Sequence, residues 1–452
     1  MCGRLDRTRG MGEELVDHEC IMNRLRKELE SVRSSTLARN AGWLFVGQGL
    51  SIVFQVICFI FVARLLGSTQ YGIYAGVIAT VNILAMYSSL GSPFVLLRRV
   101  STDRRSFGPY WGNVLATTCT LGSLIVAILV LGVPHLAHSY SRILVLCAAL
   151  GDCLCVQLID AALRVYQAFE KMRITAILSL SVNFLRMCLA GVALWRVSHA
   201  TALQWIVASL AVYAIAACAV FALVTHDFGK PVFSPDVLRK NVGEGVAFAF
   251  SSSTMGIYNN IDKALLGHYG MNAANGIYAM AYRVIDICTI PISAIHAAAL
   301  PRFFRKGSYG IRSTTAYAIQ ILKRTAPMAT LFTLLMAAAA PVIPLLAGSS
   351  FNDSVLALRW LCPLPVLRSF QLSAGDALTG SGRLRLRLFI QAAAAACNFG
   401  ANLYLIPHFG WLGAAWSSLA TDGLLGLSNW TVLLTLGAKP ERSCEDSLCQ
   451  VT

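Results

Sequence analysis

Charge is scarce in this chain. Only 13% of its residues are Asp, Glu, Lys or Arg and 56% are hydrophobic, whereas a soluble domain carries about 25% charged residues. That balance excludes an ordinary water-soluble globule. Long polar insertions are missing too. The longest internal polar loop runs near 300–325, so no sizeable catalytic domain fits outside the apolar segments. No GxxxxGK[ST] segment occurs, which excludes ATP hydrolysis by that phosphate loop. No nucleophile stands at a recognisable spacing from a base, so no enzyme activity is expected. The fourteen cysteines are scattered. Cys153-Leu154-Cys155 is their one close pair within an apolar run, and no CxxC or His/Cys cluster exists. They read as small apolar filler, and no metal or cofactor is expected. His135, His138, His199, His268 and His408 fall in short loops and read as solvated.

What the chain has in quantity is long apolar runs. Twelve occur, near 41–63, 72–93, 111–134, 143–163, 174–195, 204–225, 244–266, 277–299, 326–347, 355–378, 388–406 and 411–436. Each is near the ~20 residues that a helix needs to cross a bilayer. The predicted fold class is all-α integral membrane with twelve transmembrane helices. The first run follows some forty polar residues and is too long for a signal-peptide core. Within that polar stretch, Ile21, Leu25, Leu29 and Val32 recur at helical spacing.

The net charge of +15 suits nucleic acid in sign but not in placement. Loops after odd-numbered runs, with their borders, hold Arg64, Arg142, Arg196 and Arg359. Four further basic residues, Arg186, Lys263, Arg283 and Arg368, lie inside runs. The other 29 of the 37 Lys and Arg residues occupy the tails and the even-numbered loops. Such asymmetry over short loops predicts which side is cytoplasmic. Both termini are therefore expected in the cytoplasm. The basic loops are expected to touch anionic membrane lipid, and no nucleic-acid partner is expected.

The chain also repeats itself. Leu65-Leu66-Gly67 and Gly72-Ile73-Tyr74-Ala75 return as Leu265-Leu266-Gly267 and Gly276-Ile277-Tyr278-Ala279. Asp160-Ala161 is echoed by Asp376-Ala377, and Asn183-Phe184 by Asn398-Phe399. Four matches in one order predict a duplication. Each half has an even number of runs, so the repeats are parallel and related by an axis along the membrane normal. The expected divisions are a polar extension at 1–38, a first six-helix bundle at 39–228, a second at 229–438 and a tail at 439–452.

Polar residues within the runs must face protein or water, because lipid cannot satisfy them. Tyr282, Asp286, Thr289, Ser293 and His296 form a stripe in run 8. Glu244, Ser251, Tyr258 and Asp262 form one in run 7, with Ser252, Asn259 and Lys263 beside it. Run 1 carries Gln48, Ser51 and Gln55, and run 2 carries Tyr74, Asn82 and Ser89. Runs 1, 2, 7 and 8 are equivalent pairs and are expected to line one central cavity. The four cations inside runs are the sharpest feature. Arg283, Lys263, Arg186 and Arg368 read as a cationic cavity for an anion, arginine forks being matched to phosphate oxygens. Each has a structural alternative. Lys263 can snorkel, Arg283 can pair with Asp286, and Arg186 and Arg368 can clamp backbone carbonyls. Asp160 and Arg164 read as a structural pair. Asp152, Asp262 and Asp286 are candidates for a coupling ion or proton.

Several segments together resemble the bacterial polysaccharide flippases, the O-antigen and exopolysaccharide translocases of the MATE-like superfamily. They are Ala63-Arg64-Leu65-Leu66-Gly67-Ser68 with Tyr71-Gly72-Ile73-Tyr74, and Asn260-Ile261-Asp262-Lys263-Ala264-Leu265-Leu266-Gly267 followed by Gly276-Ile277-Tyr278 and Ala281-Tyr282-Arg283. Leu300-Pro301-Arg302-Phe303-Phe304 and Gly375-Asp376-Ala377-Leu378-Thr379-Gly380-Ser381-Gly382-Arg383 continue the series. Asn402-Leu403-Tyr404-Leu405-Ile406-Pro407 and Gly410-Trp411-Leu412-Gly413-Ala414-Ala415-Trp416 complete it. The resemblance spans about 40–436. It implies two six-helix bundles forming a V-shaped transporter in the bacterial inner membrane. The implied cargo is a polyprenyl-diphosphate-linked oligosaccharide, with a polysaccharide polymerase complex as a possible neighbour. The diphosphate would meet Arg283, Lys263 and the deeper arginines, and Gln48, Gln55, Tyr258 and Asn259 would take sugar hydroxyls. A cation-coupled multidrug exporter shares the fold but should have a net acidic cavity. A membrane glycan polymerase or ligase should have a large outer loop.

Overall fold

The computed structural model describes residues 36–137 and 140–438, without the side chains of 36–41, 44, 45, 136, 247 and 250–255. The expected helix around Ile21–Val32, residues 439–452, His138 and the side chains of Ser251 and Ser252 lie outside the described residues. Among those described, every regular element is a helix. The first half comprises α1 (Thr36–Ala85), α2 (Ser92–Thr102), α3 (Phe107–Leu136), α4 (Arg142–Leu150), α5 (Gln157–Ala168), α6 (Met172–Arg196) and α7 (Ala202–Phe228). The second comprises α8 (Pro235–His268), α9 (Asn272–Gly307), α10 (Ile311–Ala339), α11 (Val342–Ala347), α12 (Ser354–Leu361), α13 (Leu364–Gly380), α14 (Leu384–Phe409) and α15 (Trp411–Ala438).

Among the described residues, seven stretches are long and apolar enough to cross a membrane. They are Val46–Ala85, Arg104–His135, Arg142–Ala168, Met172–Arg196, Ala202–Phe228, Asn272–Gly307 and Leu384–Phe409. The first holds two of the expected runs, because Gly67 breaks α1 with a left-handed φ of 66°. The remaining expected runs fall on α8, α10, α12–α13 and α15. These bring buried polar side chains into the second bundle, including Asp262, Thr325, Ser369 and Asp422. Large apolar side chains cover the outside, among them Trp195, Ile215, Leu345 and Phe389, each more than 65% exposed. In lipid such side chains are solvated.

The two halves interrupt their helices at matching places. A π-turn at Gly151–Val156 joins α4 to α5. Counted back from the helix ends, the break between α12 and α13 at Cys362-Pro363 lies at the same depth. Run 2 does not continue straight: Leu90 and Gly91 are both left-handed, and Pro93 starts α2 as a separate helix. Its counterpart α9 is unbroken, with Pro291 inside it.

Helix caps give the repeat register. Glu170 and Gly382 are the left-handed residues after α5 and α13, and Lys171 and Arg383 close the same bond to Tyr166 and Leu378 carbonyls. This register is an offset of 212. It places Arg164, not Asp160, opposite Asp376, and Arg186 opposite Asn398. The Asp160/Asp376 and Asn183/Asn398 echoes are therefore out of register by about one turn. Short matches of common residue pairs cannot resolve a turn of helix.

The halves meet most tightly where α1 restarts and α9 begins. A Cβ on Gly72 would stand 1.7 Å from the Asn272 carbonyl oxygen, and one on Gly276 would stand 1.9 Å from that of Ser68. Gly72 corresponds to Gly276 and Ser68 to Asn272, so the contact is reciprocal, as a two-fold relation requires. Close backbone approach through small residues is how helices pack where lipid removes the hydrophobic drive. The same end is reinforced by Arg64 donating to the carbonyls of Leu345 (2.7 Å) and Leu346. Asn275 donates to the Gly72 carbonyl at 2.9 Å. At the opposite end Glu244 of α8 pairs with Arg98 (2.6 Å) and Arg99 (3.1 Å) of α2. Asn113 exchanges hydrogen bonds with the backbone of Ser234.

Candidate functional site

Between the halves lies a cavity of about 470 Å³. The reciprocal glycine contact sets its register, and equivalent residues line it from both sides. Ala75 faces Ala279 in this sense, Ala79 corresponds to Arg283, and Asn82 to Asp286; all six are in the lining. The pseudo-two-fold axis thus runs through the cavity. Its walls come from both parts of α1, from α8 and α9, and from α6 through Asn183 and Arg186. Runs 1, 2, 7 and 8 were the expected walls, with Arg186 of run 5 and Arg368 of run 10 expected among the cations. Because α6 packs along α1, run 5 brings Asn183 as well as Arg186 into the lining.

The cations expected in this cavity separate into two kinds. Arg186 and Arg283 have no carboxylate within 4 Å among the described residues. Arg283 is exposed to the cavity and donates weakly to Gln55 Oε1 at 3.4 Å. Arg186 lies 4.9 Å above the Tyr213 ring, and its Nε is buried without a partner. Lys263 is intermediate. Its Nζ bonds the Asn259 carbonyl at 2.6 Å, lies 3.5 Å from Asp262 Oδ1 and sits 4.1 Å above the Tyr282 ring. It does not snorkel; it stays in the cavity wall.

Arg368 is of the second kind and is absent from the lining. It pairs with Asp286 at 3.1 Å, bonds Tyr282 OH at 2.9 Å, and approaches Asp422 at 3.7 Å. Tyr258 also gives its hydroxyl to Asp422. The partner of Asp286 is therefore Arg368 across the bundle, not Arg283 on the same helix. An i,i+3 spacing permits a pair, but a guanidinium from α13 reaches the carboxylate first. Tyr282 and Thr289 bond this arginine as well, and His296 bonds Asp376 at 2.9 Å, which also takes Arg387 at 3.2 Å. Most of the run-8 stripe thus serves the interior of its own bundle.

Of the neutral residues expected to meet sugar, Gln55 and Asn259 line the cavity, whereas Gln48 is exposed elsewhere and Tyr258 is turned to Asp422. Of the three candidate coupling acids, Asp286 faces the cavity. Asp262 is buried, accepting from Tyr278 and the Lys263 amide, and Asp152 lines a neighbouring cavity. Asn82, Asn183 and Asn260 also line the site. Asn183 lies one turn before Arg186 on α6, so the two reach the same cavity. Asp422 is an acid inside run 12, and nothing in its local sequence marks its partners.

The chain's residues 37–306 match a family described as polysaccharide biosynthesis protein. No curated protein matches the chain. Among solved structures, the chain is similar to an inward-facing multidrug resistance MATE family transporter of the MOP superfamily. The TM-score is 0.72 at 15% identity, covering 86% of this chain and 96% of that one. An outward-facing structure of such a transporter gives a TM-score of 0.53 at 15% identity, covering 89% and 96%. A MOP superfamily transporter from Pyrococcus furiosus, described as having a binding pocket of reversed polarity, gives 0.54 at 15% identity, covering 89% and 96%. The all-α membrane transporter fold predicted from the sequence is the fold these structures share.

Proposed function

Because the chain belongs to the polysaccharide biosynthesis protein family, we propose that this multi-pass membrane transporter is a flippase for polyprenyl-diphosphate-linked oligosaccharide. The observation that carries the reading is the pair Arg186 and Arg283. They come from opposite halves, face one cavity, and form no salt bridge among the described residues. An unpaired cation inside a membrane protein costs several kcal/mol on some scales and more on others. A diphosphate would offset that cost and accept both guanidinium forks. Lys263 adds a third charge beside them. Gln55, Asn82, Asn183 and Asn259 offer amides to sugar hydroxyls, and the polyprenyl chain stays in lipid between the bundles.

On this reading the tails lie in the cytoplasm of the bacterial cell and the Gly72–Gly276 contact lies at the outer face of the inner membrane; the charge asymmetry of the loops supports that orientation. A cavity closed at that end suits a cargo assembled inside. Alternating access then requires the glycine contact to open as the cytoplasmic ends close. A polymerase complex would receive the cargo outside.

Transport of a fluorescent lipid-linked oligosaccharide in proteoliposomes tests this. Arg283→Ala and Arg186→Ala should each abolish flipping in well-folded protein, and Arg283→Lys should retain part of it. Wild-type rates in both alanine variants would sink the reading. A multidrug exporter is the second reading, favoured by the names of the similar structures. It would use the acids Asp262, Asp286 and Asp422. Two of these are buried, and all three already hold Lys263, Arg368 or tyrosine hydroxyls, so the open surface left for cargo is cationic.

A further inference from the structure

A smaller cavity of about 260 Å³ adjoins the first, inside the first bundle. Tyr74, Ile78, Asn82 and Arg186 line both. Its own walls are the π-turn, which supplies Asp152, and α7, which supplies Ser209 and Tyr213. π-turns inside helices are frequent at functional sites. The Ser209 hydroxyl is buried with no hydrogen-bond partner, and so is Arg186 Nε.

We infer that this pocket holds one hexopyranose, the sugar attached directly to the diphosphate. The inference rests on the flippase reading above. Arg186 stands at the junction of the two cavities, where the phosphate of such a cargo would end and its sugar begin. The volume is below the roughly 300–1,000 Å³ of pockets for drug-sized ligands, so a single ring fits and an oligosaccharide does not. The lining has the mixture that a sugar needs. Asp152 accepts from two hydroxyls, Ser209 and Asn82 both donate and accept, and Tyr213 with Ile78 and Leu210 covers the C–H face. The alternatives fit less well. Phosphate would be repelled by Asp152. A metal cation would find one carboxylate, far short of a hard-cation oxygen cage, and the Arg186 guanidinium in the same wall.

The test uses the full chain in nanodiscs and native mass spectrometry. The ligands are polyprenyl diphosphate alone, and the same lipid carrying one glucose, one galactose or one N-acetylglucosamine. Wild type should bind at least one glycosylated form about tenfold tighter than the bare lipid, as expected where buried polar groups recognise a hydroxyl. Asp152→Asn and Ser209→Ala, both close in shape to the native residue, should remove most of that preference. Equal affinity of wild type for all four lipids would overturn the pocket assignment while leaving the flippase reading intact. A full preference retained in both variants would overturn it as well, as would sodium-dependent binding lost in Asp152→Asn. Failure of wild type to bind even the bare diphosphate lipid would overturn the flippase reading and the pocket together.

Discussion

The reciprocal glycine contact makes a quantitative expectation possible. A methyl group on Gly72 would lie 1.7 Å from the Asn272 oxygen, and the other nearest atoms are also backbone, including the Gly276 nitrogen at 2.7 Å. Side-chain rotation cannot relieve it. The helices must separate by roughly 1.5–2 Å to reach van der Waals distance. Overpacking of this kind costs about 1–3 kcal/mol. If the contact exists only with the outer end closed, that cost falls on this state alone. The equilibrium should then shift toward the outward-open state by about 5- to 150-fold, since 1.4 kcal/mol is a factor of ten.

Gly72→Ala should therefore raise the accessibility of single cysteines placed near 268–275 to a membrane-impermeant maleimide. A double electron–electron resonance distance across that end should gain a longer component. Gly276→Ala should do the same through Ser68. The double variant should cost much less than the sum of the single ones, because one separation relieves both clashes; this is coupling between touching sites. Strict additivity, or unchanged labelling in both single variants, would refute the reciprocal contact as the outer seal.

Other expectations are simpler to state. Arg368→Ala should lower stability by about 3–5 kcal/mol, because it leaves Asp422 buried with Tyr258 and no cation; Arg368→Met combined with Asp422→Leu should recover much of the loss, and equal melting of the single variant and wild type would exclude the network. Glu244→Ala breaks ion pairs whose arginines are 66% and 46% exposed, so melting should change by no more than about 1 kcal/mol, and a larger loss would show that this contact is a structural clamp. Cysteines at 100–109 and 303–315 should be protected from an impermeant reagent in intact cells, while those at 268–275 and 408–410 should react; labelling of 303–315 from outside would reverse the orientation.

The helical transporter fold was legible because its signals are long. Twelve apolar runs leave few alternatives in a medium that permits only helices and closed barrels. Breaks within runs were not legible. The left turn at Leu90–Gly91 and the π-turn at 151–156 depend on one or two residues inside apolar sequence. For the site, an intramembrane arginine is visible in sequence, but its partner is not. Arg283 and Arg368 look alike as lone cations in apolar runs. Only three-dimensional packing separates them, by bringing α13 against α9 so that Asp286 is claimed by Arg368. Arg186 was expected in the cavity from its charge; that α6 lies along α1 and so brings Asn183 into the lining with it is a tertiary choice that no local spacing encodes.

The repeat and the charges therefore follow different rules. The duplicated part is the scaffold: Gly72 with Gly276, Ala75 with Ala279, Tyr74 with Tyr278. The polar part is not duplicated. Arg283 stands opposite Ala79, Asp286 opposite Asn82, and Arg186 opposite Asn398. A two-fold axis through a binding cavity would otherwise present each cation twice, and four arginines facing one another would repel strongly at low dielectric. Breaking the symmetry at these positions leaves one guanidinium without a salt bridge in each half. On the flippase reading proposed above, that arrangement would let both bundles hold a single diphosphate while the backbone contact between them keeps its symmetry.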